Sequence, residues 1–215
     1  MVAAEEAPLR AVAAIPAEMV RPVLGARILG RESGGGIELD ARARFAGGIQ
    51  LGAVVGMTAF ERAYVSGRPG FGAGAVSAEG IFVAPLVVAA PIELDLRLQS
   101  GVLAIDDFGE DRAIALRQIN ELGMFAHVSV ADHWLLRCGA VLGVELELQP
   151  TVDLADQSQL ISLGVGYELT DHLLAYVDAT GGGTFGFNGD NGKLLLEGSF
   201  GLRLPLGAGG ARVAF

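Results

Sequence analysis

The chain has 215 residues, enough for one substantial domain, and is unusually apolar, with 51% hydrophobic residues and a mean hydropathy of +0.46. Its net charge of −10, with no basic cluster, excludes the phosphate-gripping surface that a nucleic-acid partner needs. A single cysteine, Cys138, excludes an intramolecular disulfide and a cysteine-based zinc site.

Residues 1–18 are rich in Ala, Glu and Pro and show no alternation, which predicts a tail or a short helix. They lack the basic and apolar regions of a signal peptide, so for an exported chain the signal is expected to have been removed already. From residue 19 onward the sequence becomes a series of alternating segments. "VRPVLGARILGR" sets Val20, Pro22, Leu24, Ala26 and Ile28 against Arg21, Gly25, Arg27 and Arg31. After "SGGG", "IELDARARF" alternates without a slip: Ile37, Leu39, Ala41, Ala43 and Phe45 oppose Glu38, Asp40, Arg42 and Arg44. "AGG" turns into "IQLGAVVGMTAF". A loop, "ERAYVSGRPGFGAG", leads to an apolar strand over residues 77–89. Following "AAP", "IELDLRLQ" places Ile92, Leu94, Leu96 and Leu98 against Glu93, Asp95, Arg97 and Gln99. "AIDDFGEDR" reads as a charged loop, and a strand is expected over residues 120–130. "ADH" turns into "WLLRCGAVLGVELEL", where Glu145 and Glu147 share the polar face. The loop "QPTVDLADQSQ" precedes "LISLGVGYEL", and "TDH" turns into "LLAYVDAT". The long loop "GGGTFGFNGDNG" leads to "KLLLEGSFGLRLPL", with Lys193, Glu197, Ser199 and Arg203 on one face.

Period-two alternation is the signature of strands with two unlike faces. About ten such segments are present, with eight to twelve as the range. Most approach the 9–11 residues that a tilted strand needs to cross a bilayer. No uncharged apolar run reaches the length of a spanning helix; the richest, "GIFVAPLVVAAPI", is short and holds two prolines. Short connections ("AGG", "AAP", "ADH", "TDH") alternate with longer ones, as in membrane barrels with short turns at one end and long loops at the other.

The polar faces decide which side is wet. They mix charges of both signs with Gly25, Gly52, Gly56, Gly139, Gly143, Gly164, Gly166 and Gly201. Glycine packs nothing on an open solvated face. Inside a narrow closed barrel it makes room for long side chains. The polar faces are therefore assigned to a lumen and the aliphatic faces to lipid. The expected fold is all-β: a closed antiparallel transmembrane β-barrel over residues 19–215, with both ends periplasmic. A soluble β-sandwich binding module is the alternative.

The amphipathic strands, the turn block "GYELTDHLLAYV" and the terminal Phe215 in "GARVAF" resemble the small outer-membrane β-barrels of Gram-negative bacteria. The resemblance implies an outer-membrane location and contact with lipid and lipopolysaccharide. It also implies that Phe215 serves as the signal read by the barrel-assembly machinery. Trp134, Tyr167 and Tyr176, beside the short turns, are the candidate interfacial aromatics.

No catalytic set emerges. G-x-S-x-G is absent, and the glycine-rich loops lack the Lys-Ser/Thr of a phosphate loop. His133 and His172 follow aspartates in equivalent turns and read as turn residues; His127 has lumen parity. Asp106, Asp107, Glu110 and Asp111 do not match a calcium-loop spacing. No metal, no cofactor and no enzyme activity are expected. The lumen ladder carries the functional expectation: Glu38, Asp40, Arg42, Arg44, Glu93, Asp95, Arg97, Glu145, Glu147, Glu197 and Arg203. Opposed charges that pair and fill a narrow lumen predict a structural plug or a gated passage for small solutes. An adhesin-like barrel acting through its loops is the other membrane reading.

Overall fold

The computed structural model describes residues 20–31, 34–45, 47–61, 71–89, 91–107, 114–130, 133–149, 153–186 and 192–206. The expected tail over residues 1–18 and the terminal Phe215 lie outside these. The described residues form ten strands: β1 (Arg21–Arg31), β2 (Gly34–Arg44), β3 (Gln50–Glu61), β4 (Phe71–Ala89), β5 (Ile92–Asp107), β6 (Ile114–Ser129), β7 (Trp134–Gln149), β8 (Asp153–Thr170), β9 (Leu173–Gly186) and β10 (Lys193–Pro205). Each pairs antiparallel with its chain neighbours, and β1 pairs with β10, so the sheet closes into a barrel with no free edge. Closure satisfies every ladder within the sheet, the condition a strand-built membrane protein must meet.

The register sets the barrel's geometry. Successive partners from Val23 run through Arg42, Gly52, Ile81, Gln99, Glu121, Gly143, Ser158 and Thr184 to Lys193. Val23 itself pairs with Pro205, twelve residues further along β10. In a ten-stranded closed sheet that stagger corresponds to a strand tilt of about 40°. The strand ends at residues 21 and 205 lie at the end that carries the short turns.

The alternation read from the sequence becomes an inside and an outside. Leu39, Val55, Leu163 and Leu196 are exposed on the outer surface, whereas Asp40, Val54, Ser162 and Ser199 point inward. Several strands run further than the sequence suggests. β4 begins at Phe71 rather than near residue 77, β8 at Asp153 inside the expected "QPTVDLADQSQ" loop, and β9 continues through the glycines to Gly186. Asp106 and Asp107, read as loop, belong to β5. Local composition is weak there, but a neighbouring strand already in register supplies backbone partners. Bulges at Phe60/Glu61, Leu116/Arg117 and Glu145/Leu146 absorb the mismatch.

Candidate functional site: the charged barrel interior

The inward side chains are built from pairs in which a long or bulky group lies over a glycine directly across the ladder. Asp40 faces Gly25, Phe125 faces Gly139, Asp178 faces Gly164 and Tyr176 faces Gly201. A Cβ at any of these four glycines would overlap the carboxylate or ring opposite it. The glycines therefore have a physical role: they hold the space into which the large side chains lie, the barrel counterpart of an aromatic covering a glycine in a sheet.

Gly164 also makes a deeply buried ion pair possible. Arg137 on β7 and Asp178 on β9 are both its direct partners, and with no side chain between them Arg137 Nη1 reaches Asp178 Oδ2 at 3.3 Å. The Arg137 guanidinium lies 4.1 Å from the Phe125 ring centroid, so it is held by a carboxylate and an aromatic face together. Arg203 lies 5.2 Å from the centre of the Tyr176 ring. Arg42 Nε is 2.8 Å from Asp40 Oδ1, and His127 Nε2 is 3.3 Å from Asp95 Oδ2; Arg42, His127 and Asp95 are buried, and Asp40 is partly so. Val23, Leu135 and Leu174 are likewise buried on the inner face towards the short-turn end.

Further along the interior, Arg27 pairs across the ladder with Glu38, Nε to Oε2 at 2.6 Å. Gln99 links two charges, donating to Glu79 and accepting from Arg97. Towards the long-loop end Arg117 Nη1 lies 3.1 Å from Glu145 Oε2 and 3.6 Å from Asp156 Oδ2, in a more open setting.

The remaining sequence-predicted positions have definite places. Glu93 sits opposite His127 in the β5–β6 ladder, Glu147 opposite Arg117, and Glu197 opposite Arg31. Arg44 ends β2 beside the short turn to β3. Glu79, Glu121, Arg117, Asp156 and Asp178 belong to this interior and were not among the sequence candidates. Glu79 and Asp178 are single charges inside apolar runs, so only strand parity, counted from a secure neighbour, would have signalled them.

Tyr176 requires a correction. Expected among the interfacial aromatics, it is 2% exposed and points into the barrel. Its parity follows that of Leu174 and Asp178, and Gly201 opposite leaves the room it fills. Trp134 and Tyr167 do lie on the outer surface at the short-turn end. They are direct ladder partners with ring centroids 4.8 Å apart. His133 and His172 sit at the turns, where the carbonyl of His133 accepts from the Glu168 N–H and the His172 N–H donates to Thr170 Oγ1. Among the described residues no three His, Cys, Asp or Glu side chains converge to hold a metal.

The fold is that of the outer-membrane β-barrels. The β domain of the Bordetella autotransporter BrkA superposes with a TM-score of 0.51 at 12% identity, covering 86% of this chain and 99% of that one. The NanC porin gives 0.49 at 8% identity over 85% of this chain and all of that chain. Neisserial surface protein A gives 0.40 at 10% identity over 86% and 96%. No family model and no curated protein sequence matches the chain.

Proposed function

We propose that the protein spans the outer membrane as a barrel whose lumen is closed at rest by its own paired charges, acting as a structural barrel or a gated, narrow passage for small solutes. The observation that carries this reading is the interior pairing itself: Arg27 with Glu38, Arg42 with Asp40, Arg137 with Asp178, and the Glu79–Gln99–Arg97 chain. Each charge confined away from water costs free energy unless it is paired, so mutual pairing is the low-energy state of such a lumen. The pairs involve six of the ten strands, from β1 to β9, and join side chains of the same strand, of neighbouring strands or, for Arg137 and Asp178, of strands on either side of β8. A ten-stranded barrel has limited interior volume once its side chains are placed.

Planar-bilayer recording tests the proposal. The unmodified protein is expected to show little or no conductance. Replacing Arg42 and Arg44 together by Ala removes the base paired with Asp40 and a second one from the same strand, so conductance should rise and favour cations. Large, steady openings from the unmodified protein would overturn the closed-lumen reading.

A further inference from the structure

The outer surface is not apolar throughout. On β5 the outward positions run Ile92, Leu94, Leu96 and Leu98, and then Ser100. On β6 they run Val128, Ala126, Met124 and Leu122, and then Asn120 and Gln118. On β8 they run Leu169, Tyr167, Val165, Leu163 and Ile161, and then Gln159 and Gln157. Counted from the short-turn end, β5 and β6 become polar at the fifth outward position and β8 at the sixth, while β7 between β6 and β8 keeps the exposed Leu142 and Val144 at its fifth and sixth. Ser100 and Asn120 are direct ladder partners, and Ser100 Oγ donates to Asn120 Oδ1 at 2.7 Å on the exposed face. Gln118 Nε2 donates to the same oxygen at 3.3 Å. These groups are neutral hydroxyls and amides, with no lysine or arginine among them.

The position of the change matches a length. An apolar band about 25 Å tall, crossed by strands tilted at about 40°, takes up about ten residues, or five outward positions. The Trp134–Tyr167 pair marks the lower edge of that band, where amphipathic rings belong. Counting upward from it on β8, Gln159 and Gln157 stand eight and ten residues above Tyr167, which brackets the upper end of such a band. We infer that Ser100, Gln118, Asn120, Gln157 and Gln159 form a hydrogen-bonding surface for the neutral polar layer of the outer leaflet, the acyl carbonyls and sugar hydroxyls just above the hydrocarbon. The upper parts of β5 to β8, with the exposed Val102 of β5 and Val144 of β7 among the polar groups, then stand clear of the hydrocarbon. Side chains that compete for one oxygen on an open face retain unused donors and acceptors, which such a layer satisfies and hydrocarbon does not. The absence of cationic side chains makes the lipid phosphates the poorer match.

The inference rests on the outer-membrane reading, and spin labels separate the two. In a Cys138→Ala background, single cysteines are placed at Gln118, Asn120 and Gln159, and at Leu122 and Ile161 one step below. The labelled protein is reconstituted in phosphatidylcholine vesicles, and collision with oxygen is compared with collision with a water-soluble nickel chelate. Labels at Leu122 and Ile161 should favour oxygen, and those at Gln118, Asn120 and Gln159 should favour nickel by several-fold. Oxygen-rich readings at all five would put the polar row inside hydrocarbon and overturn the inference alone. Shielding of the three polar sites from both agents would mean a second copy of the chain covers them, and would also overturn it. Nickel-rich readings at Leu122 and Ile161 would instead defeat the membrane reading itself.

A second variant tests whether the row sets the level of the barrel. With Ser100→Val, Gln118→Leu, Asn120→Leu and Gln159→Leu combined, a label at Val144, which lies between Asn120 and Gln157 in the ladder, should shift from nickel towards oxygen. No shift, with the label at Leu122 still reading lipid, would show that these side chains do not fix the position.

Discussion

Arg137 and Arg117 lie on adjacent strands, face the same interior and each meet an acidic partner at just over 3 Å, yet their surroundings differ. Arg137 and Asp178 are each 6% exposed, with Phe125 against the guanidinium. Arg117 is 28% exposed, and Glu145 and Asp156 are wetter still. An ion pair's contribution is set largely by the solvent that it excludes. Breaking a desolvated pair strands a charge where water cannot reach it, while breaking a hydrated pair merely returns two groups to water. The short-turn end of the interior is thus a packed, interlocked layer, and the long-loop end is a looser one of similar chemistry.

Removing one member of the buried pair should have the largest effect. Arg137→Ala is expected to cost about 3–5 kcal/mol, measured by reversible folding into lipid vesicles from urea. Replacing both partners, Arg137→Leu with Asp178→Leu, should recover most of that loss, because an apolar pair of similar volume leaves no unpaired charge. A double variant as unstable as the single one would show that the pair is not the source of the cost.

The outer face supplies the control for solvent polarity. Leu163→Arg, on the exposed aliphatic surface, should cost about 2–4 kcal/mol near the bilayer midplane in the same assay. A negligible cost would indicate that this face meets water, and the inside-out comparison would collapse.

A smaller loss is expected at the glycines. Gly139→Ala forces the Phe125 ring from its place and should cost about 1–3 kcal/mol by overpacking, visible as a lower temperature for the heat-modifiable shift on a gel. Arg117→Ala should be the mildest of the series, about 0–1 kcal/mol, because its partners remain hydrated. A cost for Arg117→Ala as large as that for Arg137→Ala would erase the distinction between the two levels.

Strand positions were legible because two solvents act on the two faces of every strand. "IELDARARF" separates its own two faces, since no other strand-like arrangement keeps Ile37 and Leu39 apart from Glu38 and Asp40, while the glycine-bearing polar faces of the whole chain decide which of them is wet. Where one face has little chemistry, the reading fails. The glycines after residue 180 and the mixed stretch 153–159 carry weak local signals, and their strand character comes from ladders that β7, β8 and β10 impose. Tyr176 was misassigned for a related reason. Proximity to a turn suggested the interface, but parity and the glycine opposite put the ring inside.

By itself, the sequence determined that this chain has ten or so strands with one aliphatic and one charged, glycine-bearing face, because period-two alternation is a local property that needs no partner. It also determined that the excess apolar surface is spread thinly over strands rather than gathered in a helix. Only the tertiary structure decided which charge meets which. Arg137 and Asp178 are 41 residues apart and meet over Gly164 because a closed sheet with a twelve-residue stagger brings β7, β8 and β9 into one register. The alignment of Ser100, Asn120 and Gln159 at one level has the same origin. Level is a property of tilt and closure, and neither can be read from a single strand.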